Sequence, residues 1–239
     1  MNGNMKIVIV DYGCGNLFSI QNALSQLGIL SNISCIPKDI LEADKIILPG
    51  VGAFGDGMEK LQSYGLIEVL LEYAFKGKPV LGICLGMQLF MTESFEFGHH
   101  SGLNLIPGKV TRLSEHRAEN RLIKVPHIGW SAIHFSHDRC PSRSIFSRLN
   151  NSSCMYFVHS FFVTPEDSAH CLATTIHGNN QFCAVVQKDN VVGVQFHPEL
   201  SATAGIRMLQ NFIFKQDTDT TSSVRIPSHP APGRCLTLG

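Results

Sequence analysis

The sequence predicts an α/β domain: an open, mixed but mainly parallel sheet flanked by helices, with additional antiparallel strands in the second half. Three observations predict it. In the first half, continuous apolar runs such as Ile7-Val8-Ile9-Val10 alternate with segments whose apolar residues recur at helical spacing. The second half instead holds short strand-like runs separated by turn residues. Finally, 239 residues at 44% hydrophobic and 16% charged suffice to bury roughly 70–75% of the unfolded surface, so the core requires no metal or disulfide framework.

Lys6-Ile7-Val8-Ile9-Val10-Asp11 reads as a strand covered on both faces. Gly13-Cys14-Gly15-Asn16 turns the chain, and Leu17, Ile20, Ala23, Leu24 and Leu27 then mark a helix that stops at Gly28. Lys45-Ile46-Ile47-Leu48, closed by Pro49-Gly50, is a second buried strand. One helix is expected on Met58, Leu61, Leu66, Val69, Leu70 and Tyr73, ahead of Lys78-Pro79. Val80-Leu81-Gly82-Ile83 is a strand running directly into Cys84, with a helix from Leu85 to about Met91. This order gives parallel strands joined by right-handed crossovers. Further strands are expected at 109–112, 155–158, 171–175, 184–187 and 191–195, with Asp189-Asn190 as a hairpin turn, before a closing helix from about Ala202 to Phe214. Residues 1–215 thus form one domain. The polar, proline-bearing stretch 216–239 has little to bury and reads as a disordered tail.

Charge and cysteine usage narrow the function. Lys+Arg and Asp+Glu balance at 19 each, so no basic excess points to nucleic acid. No apolar run approaches the ~20 residues that span a bilayer, and the first one ends at Asp11, too short for a secretory segment. A cytoplasmic protein is expected. The cysteines are Cys14, Cys35, Cys84, Cys140, Cys154, Cys171, Cys183 and Cys235. None forms a Cys-x-x-Cys pair, which argues against structural zinc, and most read as small buried hydrophobes.

Cys84 is the exception. Gly82-Ile83-Cys84-Leu85-Gly86 lies between strand and helix, the nucleophile-elbow pattern with cysteine in the place of serine. The helix that begins after Cys84 brings its positive end to the sulfur and favours thiolate. In isolation, Gly-x-Cys-x-Gly fits a buried core cysteine beside packing glycines equally well. Gln195-Phe196-His197-Pro198-Glu199 adds what is missing. Pro198 holds His197 extended, and an acid two residues on projects to the same side and can orient the imidazole. Cys84, His197 and Glu199 together supply nucleophile, base and orienter. Acyl transfer also needs an oxyanion hole. The Leu85 N–H is one expected donor, and Val51, in the Pro49-Gly50-Val51-Gly52 loop at another strand's carboxyl end, is the second. The run Gly50-Val51-Gly52-Ala53-Phe54-Gly55 matches a dinucleotide fingerprint in form, but not in the first βα unit, and Glu68 and Glu72 fall inside the intervening helix. His99 and His100, and His134 and His137, read as loop residues with surface or supporting roles.

On these motifs the chain resembles the class I (triad) glutamine amidotransferases, from about Lys6 to Lys215. Further markers are Asp11-Tyr12-Gly13-Cys14-Gly15-Asn16, Met87-Gln88, Val125-Pro126-His127-Ile128-Gly129-Trp130 and Phe157-Val158-His159-Ser160. The resemblance implies flavodoxin-like layering of sheet and helices and a triad of Cys84, His197 and Glu199. It implies that Gln88, with Gly50, Gly52, His159, Ser160 and Phe161, positions a glutamine substrate, with no metal or organic cofactor. The loop and the segment ending in Trp130 are similar to the histidine-biosynthesis branch. Its glutaminase subunit pairs as a heterodimer with a (β/α)8-barrel cyclase and passes it ammonia for imidazole glycerol phosphate formation. In that setting Trp130 is either an interface anchor or a core residue. A paralogous branch that supplies ammonia for amidinating a surface-glycan sugar shares these motifs. A cysteine peptidase or γ-glutamyl hydrolase would use the same triad, but Gln88 and the 125–130 segment argue against both. Three positions depart from the family pattern: Ser131 where asparagine is usual, Phe161 where tyrosine is common and Leu200 where lysine is frequent.

Overall fold

The computed structural model describes residues 5–118, 121–135 and 145–214. Its first half is a βα succession: β1 (Ile7–Val10), α1 (Leu17–Gln26), β2 (Ser31–Ser34), α2 (Pro37–Glu42), β3 (Lys45–Leu48), α3 (Phe54–Ser63), α4 (Ile67–Phe75), β4 (Val80–Ile83) and α5 (Leu85–Leu89). Short strands follow: β5 (Glu93–Ser94), β6 (His100–Ser101), β7 (Gly108–Arg112), β8 (His116–Ala118), β9 (Arg121–Ile123), β10 (His127–Ala132) and β11 (His134–Phe135). The chain then forms β12 (Cys154–His159), β13 (Phe161–Pro165), β14 (Cys171–His177), β15 (Asn180–Lys188), β16 (Val191–Val194) and α6 (Ala202–Phe214).

The main sheet runs β2-β1-β3-β4-β16-β15-β13-β7-β5-β6. Its first five strands are parallel, and β15, β13 and β7 continue it antiparallel. This is the mixed, mainly parallel sheet expected from the sequence. β10 and β12 form a separate antiparallel pair. Strands β1, β3, β4 and β16 are buried along their whole length, and the side chains on the two sheet faces fill two core clusters. One holds Ile9, Ile47, Leu81, Val194 and Leu209; the other holds Val8, Ile46, Leu48, Leu70 and Tyr73. Helix α6 covers the first cluster, and its last turn is held from the sheet, where the buried Lys45 Nζ donates to the Phe212 carbonyl at 2.7 Å.

Two first-half elements have no counterpart in the sequence reading. Strand β2 makes Lys45–Leu48 the third strand, not the second; its Ser-Asn-Ile-Ser sequence lacks the apolar continuity of a central strand because it lies at the sheet edge. Helix α2 follows it. The one helix expected on Met58 to Tyr73 is two, α3 and α4, parted at Tyr64-Gly65, where Gly65 takes a φ of 65°. The β15–β16 hairpin does turn on Asp189-Asn190, with Asp189 at φ 50°. Cys35 is exposed and Cys154 is disulfide-bonded, so neither is a buried thiol as expected of most of the cysteines. His100 and His134 sit in short strands rather than loops. The expected tail over 216–239, with His137, Cys140 and Cys235, lies outside the described residues.

Candidate active site

Topology brings the motifs together. β4 and β16 are parallel neighbours with Ile83 opposite Val194, so Cys84 and Gln195 leave the sheet side by side at its carboxyl edge, where α/β sheets place their sites. The Cys84 N–H donates to the Val194 carbonyl at 2.8 Å. Cys84 has φ 54° and ψ −109°, a conformation costly for a non-glycine residue and typical of an elbow nucleophile. The flanking glycines permit it: a Cβ at Gly86 would lie 1.9 Å from the Leu48 carbonyl oxygen, and one at Gly82 would lie 2.4 Å from the Phe90 ring.

His197 is extended (φ −98°, ψ 99°), and Pro198–Leu200 then forms a 3-10 turn in place of the expected extended run. Proline's fixed φ suits the first position of such a turn, and the turn folds Glu199 back onto the ring. Glu199 Oε1 is 2.8 Å from His197 Nδ1, with side chains 1% and 6% exposed. A carboxylate there places the proton on Nδ1 and leaves Nε2 to act as base. Nε2 is buried without a hydrogen-bond partner among the described residues; burial, the largest single cause, lowers the His197 pKa, but Cys84 and Glu199 together raise it, and the net result is about 10. The backbone is clamped as well. The His197 N–H donates to the Tyr156 carbonyl at 2.9 Å, and its own carbonyl accepts from Ser201 Oγ at 2.5 Å.

The two expected oxyanion donors do not converge. The Leu85 N–H makes a long 3.4 Å hydrogen bond to the Gly50 carbonyl, and in a trans peptide the Val51 N–H points opposite to that carbonyl, away from Leu85. Gly50 fits this close approach because it lacks a side chain: a Cβ would lie 2.6 Å from the Tyr12 hydroxyl and 2.7 Å from Leu85 Cβ. Gly52 sits beyond it, exposed, at φ 108°.

Gln88 is buried, and its Nε2 donates to the Phe161 carbonyl at 2.9 Å and to Gln195 Oε1 at 3.1 Å. Both amide hydrogens are thus committed, and Oε1 is what Gln88 can offer a ligand. His159 Nδ1 donates to the same Phe161 carbonyl at 2.9 Å, which makes its Nε2 an acceptor for His127 Nδ1 at 3.1 Å, while Ser131 Oγ reaches His127 Nε2 at 2.9 Å. Burial, then neighbouring imidazoles, lower the His127 pKa to about 3. Burial is also the main cause for His159, lowered to about 4 against the opposing Phe161 carbonyl. Both rings are neutral. The Ser160 carbonyl accepts from the Leu113 N–H at 2.8 Å, fixing the bend between β12 and β13.

Sequence reasoning missed three residues. Gln195, two residues before His197 on an extended run, shared its side and could have been found by that spacing. His127 lay inside a quoted motif without a chemical partner in sequence. Glu96 gave no local signal. It is buried, its carboxylate accepts from the Phe54 N–H at 2.7 Å, burial above all raises its pKa, and it lines a cavity of about 830 Å³ together with Gly55, Phe97 and His100. Phe97 also packs against Phe161, ring centroids 6.5 Å apart, although neither Phe161 nor Gln88 lines that cavity. Trp130 is half-buried on β10 against Tyr156, and Leu200 is exposed.

Comparison with known proteins places the family and the fold. The family model for glutamine amidotransferase class-I matches residues 8–216. The chain is 46% identical over 207 residues to the imidazole glycerol phosphate synthase subunit HisH of Syntrophotalea carbinolica, covering 86% of this chain and 98% of that protein. It is 45% identical over 208 residues to the HisH subunit of Geobacter sulfurreducens, covering 87% and 97%. Among solved structures, a glutamine amidotransferase (TM-score 0.64, 19% identity, 86% and 96% covered) and PurLQS from Thermotoga maritima (TM-score 0.64, 17% identity, 88% and 98% covered) share the fold. The chain belongs to the class-I glutamine amidotransferases.

Proposed function

We propose that the chain is the glutaminase subunit of an imidazole glycerol phosphate synthase, with Cys84, His197 and Glu199 as its triad. The observation that carries the reading is a cysteine held at positive φ beside an imidazole whose far nitrogen is fixed by a buried carboxylate at 2.8 Å. The identity to HisH subunits over most of the chain supports the pathway. The Cys84 thiol gives its proton to His197 Nε2, and the sulfur attacks the side-chain carboxamide carbon of glutamine. The tetrahedral oxyanion collapses as His197 returns the proton to the departing ammonia, leaving a thioester on Cys84. Water, deprotonated by His197, then attacks the thioester; glutamate leaves and the thiol is restored.

Substrate contacts are assigned to Gly50, Gly52, the Gln88 Oε1 and the 159–161 bend, with Glu96, in the cavity it lines, as a partner for an ammonium group. Donation from both Leu85 and Val51 requires the Gly50–Val51 peptide to turn over, because the Gly50 carbonyl now occupies the Leu85 N–H. Losing one such donor costs about 2.7–4 kcal/mol in the transition state, so the closed arrangement is a low-activity one. Ammonia passes to a (β/α)8-barrel cyclase partner. Cys84→Ala is expected to abolish glutamine hydrolysis, while the assembled synthase still runs on added ammonium salt. Retained hydrolysis in this variant would refute the assignment.

A further inference from the structure

The orientation of two buried amides follows from one carbonyl. Phe161 O can only accept, so the Gln88 atom at 2.9 Å from it is Nε2, a donor. The Gln195 atom 3.1 Å from that same Nε2 must then be an acceptor, Oε1. This turns the Gln195 Nε2 toward Cys84, 3.7 Å from Sγ. Gln195 is fully buried and sits beside Cys84 across the β4–β16 edge, so its amide is held there rather than sampling solvent.

We propose that Gln195 is a further catalytic group, an N–H donor to the reacting sulfur that stabilises the Cys84 thiolate, and that Gln88 is the positioning residue that aims it. The inference deepens the triad reading above and rests on it. When the Sγ–H bond breaks, the proton goes to His197 Nε2 and the electron pair stays on sulfur, facing the Gln195 N–H. A hydrogen bond to a charged group is stronger than one to a neutral group, so the donor favours the thiolate over the thiol. Gln88 therefore has a task besides any substrate contact. Its second amide hydrogen locks the Gln195 flip, and without it the Gln195 Oε1 is free to turn toward the sulfur and oppose the negative charge.

The test is the pH dependence of Cys84 alkylation by iodoacetamide, a small neutral probe, followed at the Cys84 peptide by mass spectrometry on the full chain. Gln195→Met keeps the shape and removes the donor. It is expected to raise the midpoint by about one pH unit and to slow alkylation below the midpoint about tenfold. Gln88→Met is expected to shift the midpoint in the same direction. A folded Gln195→Met protein, judged by near-UV circular dichroism, with the wild-type midpoint overturns the proposal. If Gln195→Met does not fold, the Gln88→Met protein decides: a raised midpoint supports the proposal and an unchanged one overturns it. Failure of the triad reading is seen separately, in the wild type, as Cys84 reacting no faster than the other thiols.

Discussion

At the scale of single residues the site is held by short distances that admit few substitutions. His197 shows how charge and burial combine. Its pKa is raised to about 10 because Cys84 and Glu199 outweigh desolvation. The share of this rise that comes from Glu199 contributes stability that is fully present below pH ~6.5 and lost as the pH rises toward about 10. The Cys84 share adds no slope, because the thiolate has given up the proton the imidazole holds. Glu199→Gln removes one of the upward pulls and also the carboxylate that fixes the tautomer. Denaturant unfolding between pH 6.5 and 10 is therefore expected to show a shallower loss of stability in this variant than in the wild type, and kcat for glutamine is expected to fall roughly 10²–10⁴-fold. An unchanged pH slope would mean that Glu199 does not set the imidazole charge. Gly86 is sterically bound. Its missing Cβ would meet a backbone carbonyl at 1.9 Å, which no rotamer change can relieve. Gly86→Ala is expected to lose about 1–3 kcal/mol of stability by chemical denaturation and to lose glutaminase activity with it.

At the scale of elements, what the sequence made legible was what is repeated or chemically exceptional. The central strands β1, β3, β4 and β16 declared themselves as apolar runs because both faces are covered, and α6 by its spacing. Cys84 and His197 were legible because glycines and proline constrain the backbone around them. The edge strand β2 was not, since polar residues suffice at an edge, and the break between α3 and α4 was hidden because apolar spacing continues across Gly65. The peptide orientation at Gly50 is a backbone choice with no sequence signature at all. The β10–β12 pair hides its chemistry similarly: His127 and His159 are opposite each other in register, and only pairing turns two isolated histidines into a buried chain. Both are held neutral, at about 3 and about 4. The sign is the reverse of that for His197. The unfolded chain takes up protons below pH ~6.5 while the folded one does not, so stability falls as the pH drops from ~6.5 toward 4 and 3. Each ring adds at most ~1.4 kcal/mol per pH unit to that slope. His127→Gln is expected to flatten the acid side of a melting-temperature profile; a profile that stays as steep would place the acid sensitivity elsewhere.

At the scale of the whole molecule the sheet order is what makes a site. Cys84 and His197 are far apart in sequence, yet β4 and β16 are adjacent parallel strands, so the segments leaving their carboxyl ends bring both residues to one edge of the sheet. Antiparallel β13, beyond β16 and β15, then brings the Phe161 carbonyl against Gln88, and β12, in its separate pair, offers the Tyr156 carbonyl to the His197 N–H. No helix among the described residues is long and apolar enough to cross a membrane. The central claim is that this topology activates one sulfur above all the others. It is tested most directly by treating the intact protein with a glutamine-mimicking electrophile and mapping the modified peptides. Stoichiometric labelling of Cys84, suppressed by glutamine, is the expected result, with the exposed Cys35 left unmodified. Label spread over several cysteines, or Cys84 left intact, would contradict it.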